Sequence, residues 1–364
     1  MPLKTLTGKH ADPRKGRGSG INPEGRFETI QREAFDDGWD TPEDGDPPPL
    51  KTQVTVERVK SIISRNQSPD LFFSQSLNPY QGCEHGCGYC YARPSHAFKN
   101  LSPGIDFETR LFAKANAPEV LRQELSAPSY QCDEIMIGAN TDPYQPIERQ
   151  WKVTRSVLEV CSEFNQPVGI ITKNAGIERD IDILAPMAAK GLAAVTISCN
   201  NLDHEIARRL EPRCSAPRRR LQAIRALSDA GIPVCVLVAP VVPFLTDDQI
   251  EPVLEAAWEH GARSAGYVLL RLPWEVKDIF KDWLERHYPL KAKHVMSRVH
   301  QMRGGKDNDP GFGSRMVGAG LLAELLEKRF DIAAKRIGYN TQRARGLDRT
   351  LFRVPGKPDQ MELF

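Results

Sequence analysis

Between about residue 70 and residue 270, short apolar runs alternate with stretches of helical periodicity, and this alternation restricts the possible folds more than any other feature. Short β-branched or apolar runs are typical of strands buried on both faces. Strands separated by helices pair in parallel, because the helix returns the chain to the starting edge of the sheet. The pattern therefore predicts an α/β fold built on a parallel sheet. The predicted strands span residues 134–138, 168–172, 194–199, 234–238 and 266–270.

Helical periodicity fills the intervals between these runs. The predicted helices span residues 153–164, 179–190, 218–230 and 247–260. A further strand is expected before a cysteine-rich loop at residues 83–90, which makes six βα units. In such an arrangement the loops that follow the strands converge at one edge of the sheet, where ligands bind. Polar residues at strand ends, such as Asp142 and Lys173, are therefore candidates for a site.

The cysteine-rich loop places Cys83, Cys87 and Cys90 in the spacing Cys-x3-Cys-x2-Cys. An iron-sulfur cube normally takes four thiolates, so three cysteines from one loop would leave one iron open. An open coordination position distinguishes catalytic metal sites from structural ones. The interspersed glycines permit the backbone angles that a loop around a compact cluster requires. The loop is therefore a candidate metal-binding site.

Two other uses of this loop are a zinc site and a structural cluster. Zinc would need a fourth ligand, which His85 or His96 would supply. Zinc sites usually pair two Cys-x2-Cys knuckles, however, and the sequence contains no second knuckle. The spacing by itself indicates only an oxygen-sensitive metal-binding loop, and the surrounding motifs must confirm what it binds.

With Tyr89 directly before the third cysteine, the loop resembles the signature of the radical S-adenosylmethionine (radical SAM) enzymes. The flanking runs 78–93 and 141–148 are similar to the branch that contains spore photoproduct lyase and its uncharacterised bacterial relatives. The resemblance implies a partial (βα)6 TIM-like barrel and a [4Fe-4S] cluster on the three cysteines. It also implies that SAM binds the open iron, and that an electron from the reduced cluster splits SAM to give a 5'-deoxyadenosyl radical.

The resemblance further implies which residues contact SAM. In this assignment Thr141 and Asp142 contact the methionine group. Lys173 supplies a point charge for a carboxylate, and Ser198 a hydroxyl for the ribose or carboxylate. The tyrosines would flank the cluster or the adenine, and Ala239 would offer its backbone to the adenine. The alternative is that the Thr-Asp and Ser-Asn pairs cap the helices that follow them. The predicted SAM-binding residues are Tyr89, Tyr91, Thr141, Asp142, Lys173, Ser198 and Ala239.

One departure from the family pattern concerns the hydrogen donor. The lyase carries a cysteine at the position of Ala139, and the resemblance assigns to it the return of a hydrogen atom to the repaired thymine dimer. Ala139 has no S–H bond to donate from, so the lyase reaction itself is not implied. Cys199, beside Ser198, is an alternative donor, although a thiol at a strand end more often packs in the core. The catalytic residue is otherwise left unassigned.

Arginines follow the strand at residues 194–199, in Glu211-Pro-Arg213 and in a triple arginine at residues 218–220. The lyase branch has a similar Glu-Pro-Arg segment, and arginine binds phosphate or carboxylate groups bidentately. These arginines therefore either contact an acidic substrate group or lie at the exposed start of a helix.

Composition divides the chain into four segments. Residues 1–50 contain an Arg-Gly run, an acidic stretch and three consecutive prolines, so this segment is expected to be disordered or draped over the core. Residues 65–290 form the predicted radical SAM core, and residues 351–364 a flexible tail. Residues 291–350 are predicted to form a basic helical extension. From residue 291 to 353 there are 14 Lys and Arg against 6 Asp and Glu, which suits a polyanion such as nucleic acid but also arises on solvated helix faces.

The last five residues follow a proline-glycine linker and read Gln360-Met361-Glu362-Leu363-Phe364. They resemble the short peptides through which bacterial DNA repair and replication proteins bind the sliding clamp. Leu363 and Phe364 would be apolar anchors, and Gln360 would hydrogen-bond the rim of a pocket. The alternative is a tail that folds onto its own domain.

Hydropathy predicts a cytoplasmic protein with no membrane partner. No stretch approaches the roughly 20 apolar residues that a membrane span requires. The charged, proline-rich N-terminus lacks the apolar centre of a signal peptide. Of the eight cysteines, Cys132, Cys199 and Cys235 lie in or beside apolar runs, where a reduced cysteine acts as a small buried hydrophobe.

The sequence therefore predicts a radical SAM enzyme, and the first hypothesis for its substrate is damaged DNA, repaired by a lyase-like or other radical reaction. An electron donor such as flavodoxin or ferredoxin would reduce the cluster. Modification of RNA, protein or a small molecule by the same radical is the alternative within enzymes. A non-catalytic iron-sulfur protein that binds DNA or senses redox state is the competing class, and production of 5'-deoxyadenosine separates the two classes.

Overall fold

Strands and helices alternate along the computed structural model, which describes residues 16–27, 50–339 and 346–356. The clamp-like peptide at residues 360–364 lies outside the described residues. In chain order, the strands are β1 (Gln53–Val56), β2 (Ile63–Arg65), β3 (Gln75–Leu77), β4 (Tyr80–Gln81), β5 (Arg110–Ala113), β6 (Ile135–Ile137), β7 (Val168–Thr172), β8 (Ala193–Ser198), β9 (Val234–Val241) and β10 (Ser264–Leu269). The α-helices are α1 (Ile105–Thr109), α2 (Ala117–Ser126), α3 (Glu148–Trp151), α4 (Val153–Glu163), α5 (Ile181–Ala189), α6 (His204–Leu210), α7 (Pro217–Asp229), α8 (Ile250–Glu259), α9 (Val276–His287), α10 (Pro289–Met302) and α11 (Leu321–Ile337).

The main sheet is built from successive parallel strands. Within the described residues it has seven strands in the order β10-β9-β8-β7-β6-β3-β2. The six strands from β3 to β10 are parallel to their neighbours, and β2 runs antiparallel to β3. The end strands β10 and β2 are not hydrogen-bonded to each other, so the sheet is open. A smaller sheet has the strand order β1-β5-β4; β4 and β5 lie between β3 and β6 in the chain, and β1 precedes β2. The predicted α/β fold with six βα units is confirmed.

The predicted bounds of most elements agree with the structure to within a few residues. Strand β7 has the predicted bounds, and β8 begins and ends one residue before the predicted strand. The largest difference at a helix start is at α8, which begins at Ile250, three residues after the predicted start and after a 3-10 helix over Asp247–Gln249. Helix α5 begins at Ile181, two residues after the predicted start, and follows a 3-10 helix over Ala175–Asp180. The side chain of Asn174 accepts a hydrogen bond from the Gly176 amide and so caps that 3-10 helix.

The core lies between the sheet and its helices. Ile137, Ile170, Ile197 and Val236 occupy four neighbouring strands, and each is at most 1% exposed. Helices α5, α7 and α8 contact β8 and β9. Full burial of one such aliphatic side chain contributes about 1.5–3 kcal/mol. The near-continuous apolar strands of the sequence are therefore the ones that form the centre of the sheet.

The basic segment after residue 290 packs against the fifth and sixth βα units. Helix α11 lies along α8, and the ring of Phe330 lies 4.8 Å from the ring of Tyr267 in β10. The loop between α10 and α11 covers the carboxyl end of β10, where the Leu269 amide donates to the Met316 carbonyl at 2.9 Å. No helix in the described parts of the chain is long and apolar enough to cross a membrane.

Residues 16–27, which we call the N-terminal strap, lie against the cysteine loop. Arg17 and Ser19 are buried, at 7% and 2% exposure. The Gly18 and Ser19 amides donate to the Glu108 carboxylate at 3.0 and 2.9 Å, and Arg17 donates to the Glu108 carbonyl at 2.7 Å. The strap therefore binds the same buried carboxylate that supports the loop from the other side.

We expect Gly18→Ala to lower the free energy of unfolding by about 1–3 kcal/mol, which is typical of overpacking. A Cβ atom on Gly18 would lie 1.6 Å from the Gly86 carbonyl oxygen, so the strap would have to move away from the loop. Chemical denaturation measures the change. Gly346→Ala is the control, because the nearest atom to its Cβ would be 3.9 Å away. Equal losses in the two variants would contradict the packing described for the strap.

Candidate active site

The cysteine loop follows β4 and encloses its thiols. Cys83 and Cys87 are 7% and 8% exposed, and Cys90 is half-buried. Gly86 has φ +67°, a left-handed conformation that favours glycine. A Cβ atom there would lie 2.8 Å from a carboxylate oxygen of Glu108. The turn between the first two cysteines therefore requires glycine both for its backbone angle and for space.

A buried ion pair supports this loop. Arg93 and Glu108 form a salt bridge, and neither side chain has exposed surface. The Nε and Nη2 atoms of Arg93 donate to the Cys87 carbonyl at 3.0 and 2.9 Å. The position of the second cysteine is thus set by the arginine that follows the motif.

The donor set of the loop fits an iron-sulfur cube. In a cube each thiolate bonds a different iron, so the three sulfurs need not converge on one point. Among the described residues, no three His, Cys, Asp or Glu side chains are grouped closely enough to hold a single metal ion. Cys83, Cys87 and Cys90 would hold three irons of the cube and leave the fourth for another ligand.

The two histidines proposed as zinc ligands have other partners. His85 is buried between Asp142 and Cys83, with its Nδ1 3.4 Å from Asp142. Burial lowers the pKa of His85, but these two acidic neighbours outweigh it and raise that pKa well above its usual value. The Nε2 atom of His96 lies 2.9 Å from the Arg110 carbonyl, and burial lowers the pKa of His96 to about 4. The acidic neighbours of His85 therefore favour its charged form, and His96 is positioned as a neutral hydrogen-bond donor.

Thr141 and Asp142 join the loop after β6 to its neighbours. The Thr141 hydroxyl donates to the Tyr80 carbonyl at 2.7 Å. The Asp142 carboxylate accepts from the Thr172 hydroxyl and the Lys173 amide, both at 2.7 Å. Although burial raises the pKa of Asp142, the nearby imidazolium and these donors lower it to about 2. The described contacts of both side chains are with protein groups, and their contact with SAM stays a prediction.

Lys173 is directed toward the cysteine loop. Burial lowers the pKa of its ammonium, but the carboxylate of Glu211 and the thiols of Cys87 and Cys214 raise it to about 12. A permanent cation therefore stands beside a predicted cluster ligand, where the carboxylate of SAM is expected. Its role as a SAM ligand stays a prediction.

The remaining predicted SAM ligands lie near the carboxyl ends of strands or in the cysteine loop. Ser198 ends β8, and Ala239 lies in the last part of β9. The Tyr91 hydroxyl donates to the carbonyl of Ala139, the position at which the lyase has its cysteine. Cys199 is fully buried, and its thiol donates to the Asn201 carbonyl at 3.5 Å. The structure thus places Cys199 in the core, while Tyr91 spans from the cysteine loop to the β6 edge.

Residues 210–214, which we call the Glu211 segment, run alongside the cysteine loop. The Gly88 amide donates to the Leu210 carbonyl at 3.1 Å, and the Arg213 amide to the His85 carbonyl at 3.2 Å. The Glu211 carboxylate accepts from the Tyr89 hydroxyl. Sequence reasoning did not place this segment at the cluster, although its Glu-Pro-Arg resemblance to the lyase branch was a signal. The segment forms one wall of the cysteine loop.

The triple arginine is divided by the structure: Arg218 and Arg219 are exposed at the start of α7, as one interpretation predicted, whereas Arg220 departs from both interpretations. Arg220 is 2% exposed, pairs with Glu211 and donates to the Ser198 carbonyl at 3.0 Å. Arg219 is exposed and pairs with Glu178. Arg220 is therefore a buried structural cation, available neither to a substrate phosphate nor to solvent.

A fourth thiol lies beside the loop. The Sγ atoms of Cys214 and Cys87 are 3.8 Å apart, a distance that permits an S–H···S hydrogen bond. A cavity of about 160 Å³, lined by residues that include Glu211, Cys214 and Arg220, adjoins this contact. In the sequence Cys214 is separated from the motif by more than 120 residues, so its spacing carried no sign of this proximity.

Comparisons with known proteins agree with this geometry. The family model described as the radical SAM superfamily matches residues 77–257. An uncharacterised protein of Mycobacterium tuberculosis is 33% identical over 254 residues, which cover 68% of this chain and 74% of the relative. An uncharacterised protein of Methanocaldococcus jannaschii is 25% identical over 249 residues, which cover 68% of this chain and 89% of the relative.

Solved structures of spore photoproduct lyase share the fold. The lyase complexed with dinucleoside spore photoproduct has a TM-score of 0.56 and 16% identity, covering 79% of this chain and 81% of that chain. A variant of the same lyase with bound AdoMet and the dinucleoside has a TM-score of 0.54 over the same shares. At this level of identity the likeness establishes a common fold.

We expect Cys214→Ala to retain the cluster and to make its reduction potential more negative. A hydrogen bond to a ligand thiolate withdraws electron density from the cluster, so its loss disfavours reduction. Iron and sulfide content with a potentiometric EPR titration measure both effects. Cys87→Ala is the control that should lose the cluster, and Cys214→Ser should restore part of the shift. Cluster loss in Cys214→Ala as complete as in Cys87→Ala would show that Cys214 is itself a ligand.

Proposed function

The chain belongs to the radical SAM superfamily, and on this premise we propose that it uses the 5'-deoxyadenosyl radical to modify a nucleic-acid substrate, damaged DNA first among them. Its cofactors are a [4Fe-4S] cluster and SAM, as in the superfamily. When bound, the reduced cluster supplies the electron that splits SAM into methionine and the radical. A reduced partner protein such as flavodoxin or ferredoxin is proposed as the source of that electron.

The residues of this chain prepare the site for that chemistry. We assign Cys83, Cys87 and Cys90 to hold the cluster, and Lys173 to bind the carboxylate of SAM. Arg93 and the Glu211 segment fix the loop so that its thiols keep their positions when the cluster changes charge. Burial of the loop by the strap and by these pairs limits the access of water and oxygen to the cluster.

The observation that carries the choice of substrate is the fold shared with spore photoproduct lyase, whose solved structures hold a dinucleoside photoproduct. The basic segment after residue 290 supports this choice, because residues 291–353 contain 14 Lys and Arg and only 6 Asp and Glu, and such an excess of positive charge favours binding to phosphates. Ala139, which replaces the hydrogen-donating cysteine of the lyase, argues for a reaction different from the lyase's own. RNA, protein or a small molecule is the alternative substrate if the assay below rejects DNA. A cytoplasmic location stays a prediction.

We expect the anaerobic, dithionite-reduced holoprotein to convert SAM to 5'-deoxyadenosine, and to do so faster with ultraviolet-irradiated DNA than with unirradiated DNA. Chromatography quantifies the product, and Cys87→Ala is the control that should yield none. If DNA does not alter the rate of product formation, the assignment as a radical SAM enzyme stands, but DNA is rejected as its substrate. No product from a protein with a full cluster, with or without DNA, would favour a sensing or structural role.

We further propose that residues 360–364, which lie outside the described residues, bind the bacterial sliding clamp. Their deletion is expected to abolish co-purification with the clamp, because it removes the apolar anchors Leu363 and Phe364. Cluster content should be unchanged, because the three cysteines of the loop are retained. Pull-down with purified clamp measures binding. Replacing Glu362 alone, which is not an anchor, is the control. Retention of the deleted protein on the clamp would reject the proposal.

A further inference from the structure

Arg271 lies beside the cysteine loop at the carboxyl end of the sixth parallel strand. It follows β10, which ends at Leu269. Its guanidinium lies over the ring of Tyr91, 5.6 Å from the ring centroid. Tyr91 directly follows Cys90, the third cysteine of the loop. A cation is therefore held at the edge of the sheet where βα folds bind their ligands.

This guanidinium is poorly satisfied within the described part of the chain. Its Nη1 donates to the sulfur of Met316 at 3.5 Å, and a thioether is a weak acceptor. Its Nε is buried and has no hydrogen-bond partner there. An unpaired buried N–H group is costly, and more so when it carries charge. The guanidinium fork fits phosphate and carboxylate oxygens bidentately. Arg271 therefore lacks the anionic acceptor that its chemistry calls for.

The carboxylate of Asp70, which interacts electrostatically with Arg271, is hydrogen-bonded to another arginine. Asp70 accepts from the Nε of Arg315 and from the Gly313 amide, and Arg315 also donates to the Ser68 hydroxyl. Burial and the charge of Arg315 both lower the pKa of Arg271. Two arginines thus share one carboxylate, which leaves this part of the surface with excess positive charge.

Exposed aromatic rings accompany both arginines. Tyr91 is 47% exposed, and Phe312, which lies under Arg315 at 4.6 Å, is 64% exposed. Single-stranded or unstacked nucleotides bind to such surfaces, because the bases stack on the rings while the phosphates pair with arginine. A protein or small-molecule carboxylate would use the arginine but not the pair of exposed rings.

We propose that Arg271 and Tyr91, with Arg315 and Phe312 beside them, form a subsite for a phosphodiester group of an unstacked nucleic-acid strand. This inference rests on the proposed function and deepens it, because it places the backbone of the substrate next to the cysteine loop. The phosphate accepts from the guanidinium of Arg271 and so supplies the missing partner of its N–H groups. Adjacent bases stack on the exposed rings.

Anaerobic fluorescence anisotropy with the holoprotein and a labelled single-stranded oligonucleotide tests the subsite. Arg271→Gln should weaken binding about tenfold and reduce the slope of log K against log salt by about one unit. Arg225→Gln is the matched control, because it removes an equal charge from an exposed position on α7, outside the basic segment. It should leave both quantities nearly unchanged. Should the glutamine variant not fold, Arg271→Lys, which keeps the charge and loses the fork, should show an intermediate loss.

A second arm locates the phosphate. An oligonucleotide with one uncharged methylphosphonate, moved along the strand in successive probes, should weaken binding to the unaltered protein at one position. It should have no further effect on Arg271→Gln, because the partner is already absent. Additive losses at every position would overturn the proposal.

The remaining outcomes separate this subsite from its alternatives. A loss of SAM affinity in Arg271→Gln, with oligonucleotide affinity equal to that of the unaltered protein, would assign Arg271 to the carboxylate of SAM and overturn the subsite. Equal effects of Arg271→Gln and Arg225→Gln would overturn it as well. A holoprotein that cleaves SAM and binds no oligonucleotide would reject the nucleic-acid substrate itself.

Discussion

The ion pair between Arg93 and Glu108 is the interaction on which the cysteine loop depends. Arg93 donates to the carbonyls of Cys87, Pro103 and Gly104, and Glu108 accepts from Arg93 and from the strap. Both side chains are fully buried, so an unpaired member would cost about 3–5 kcal/mol. The loop, helix α1 and the strap are therefore parts of one unit, and a change in any of them reaches the thiols.

A second buried ion pair stands on another side of the same loop. Arg220 and Glu211 pair with almost no exposed surface, and Glu211 also accepts from Tyr89, directly before the third cysteine. Each pair is neutral as a whole, so the two pairs shape the loop without adding net charge to it. In the proposed site, the charge that a ligand meets comes instead from separate cations at the strand ends, Lys173 and Arg271.

The fold was predictable because its signals are local. Buried parallel strands read as short apolar runs, and the helices between them have their own periodicity, so β7 was predicted with its observed bounds. The cysteines were predictable because three ligands lie within eight residues. The burial of Arg220 could not be predicted from the sequence, because a run of arginines at a helix start is equally compatible with an exposed helix. The approach of Cys214 and the missing partner of Arg271 depend on which distant segments meet, and no spacing in the sequence encodes that.

The sequence separations of the contacts around the loop imply an order of assembly during synthesis. Arg93 and Glu108 are 15 residues apart, and Glu211 and Arg220 are 9 apart, whereas Tyr89 and Glu211 are 122 apart. Closing a longer loop costs more entropy, and Glu211 leaves the ribosome long after the cysteines do. The nascent chain therefore has the supporting ion pair and all three thiols before the second wall exists. Until Glu211 has been synthesised, the loop lacks the wall that the Glu211 segment provides in the finished protein.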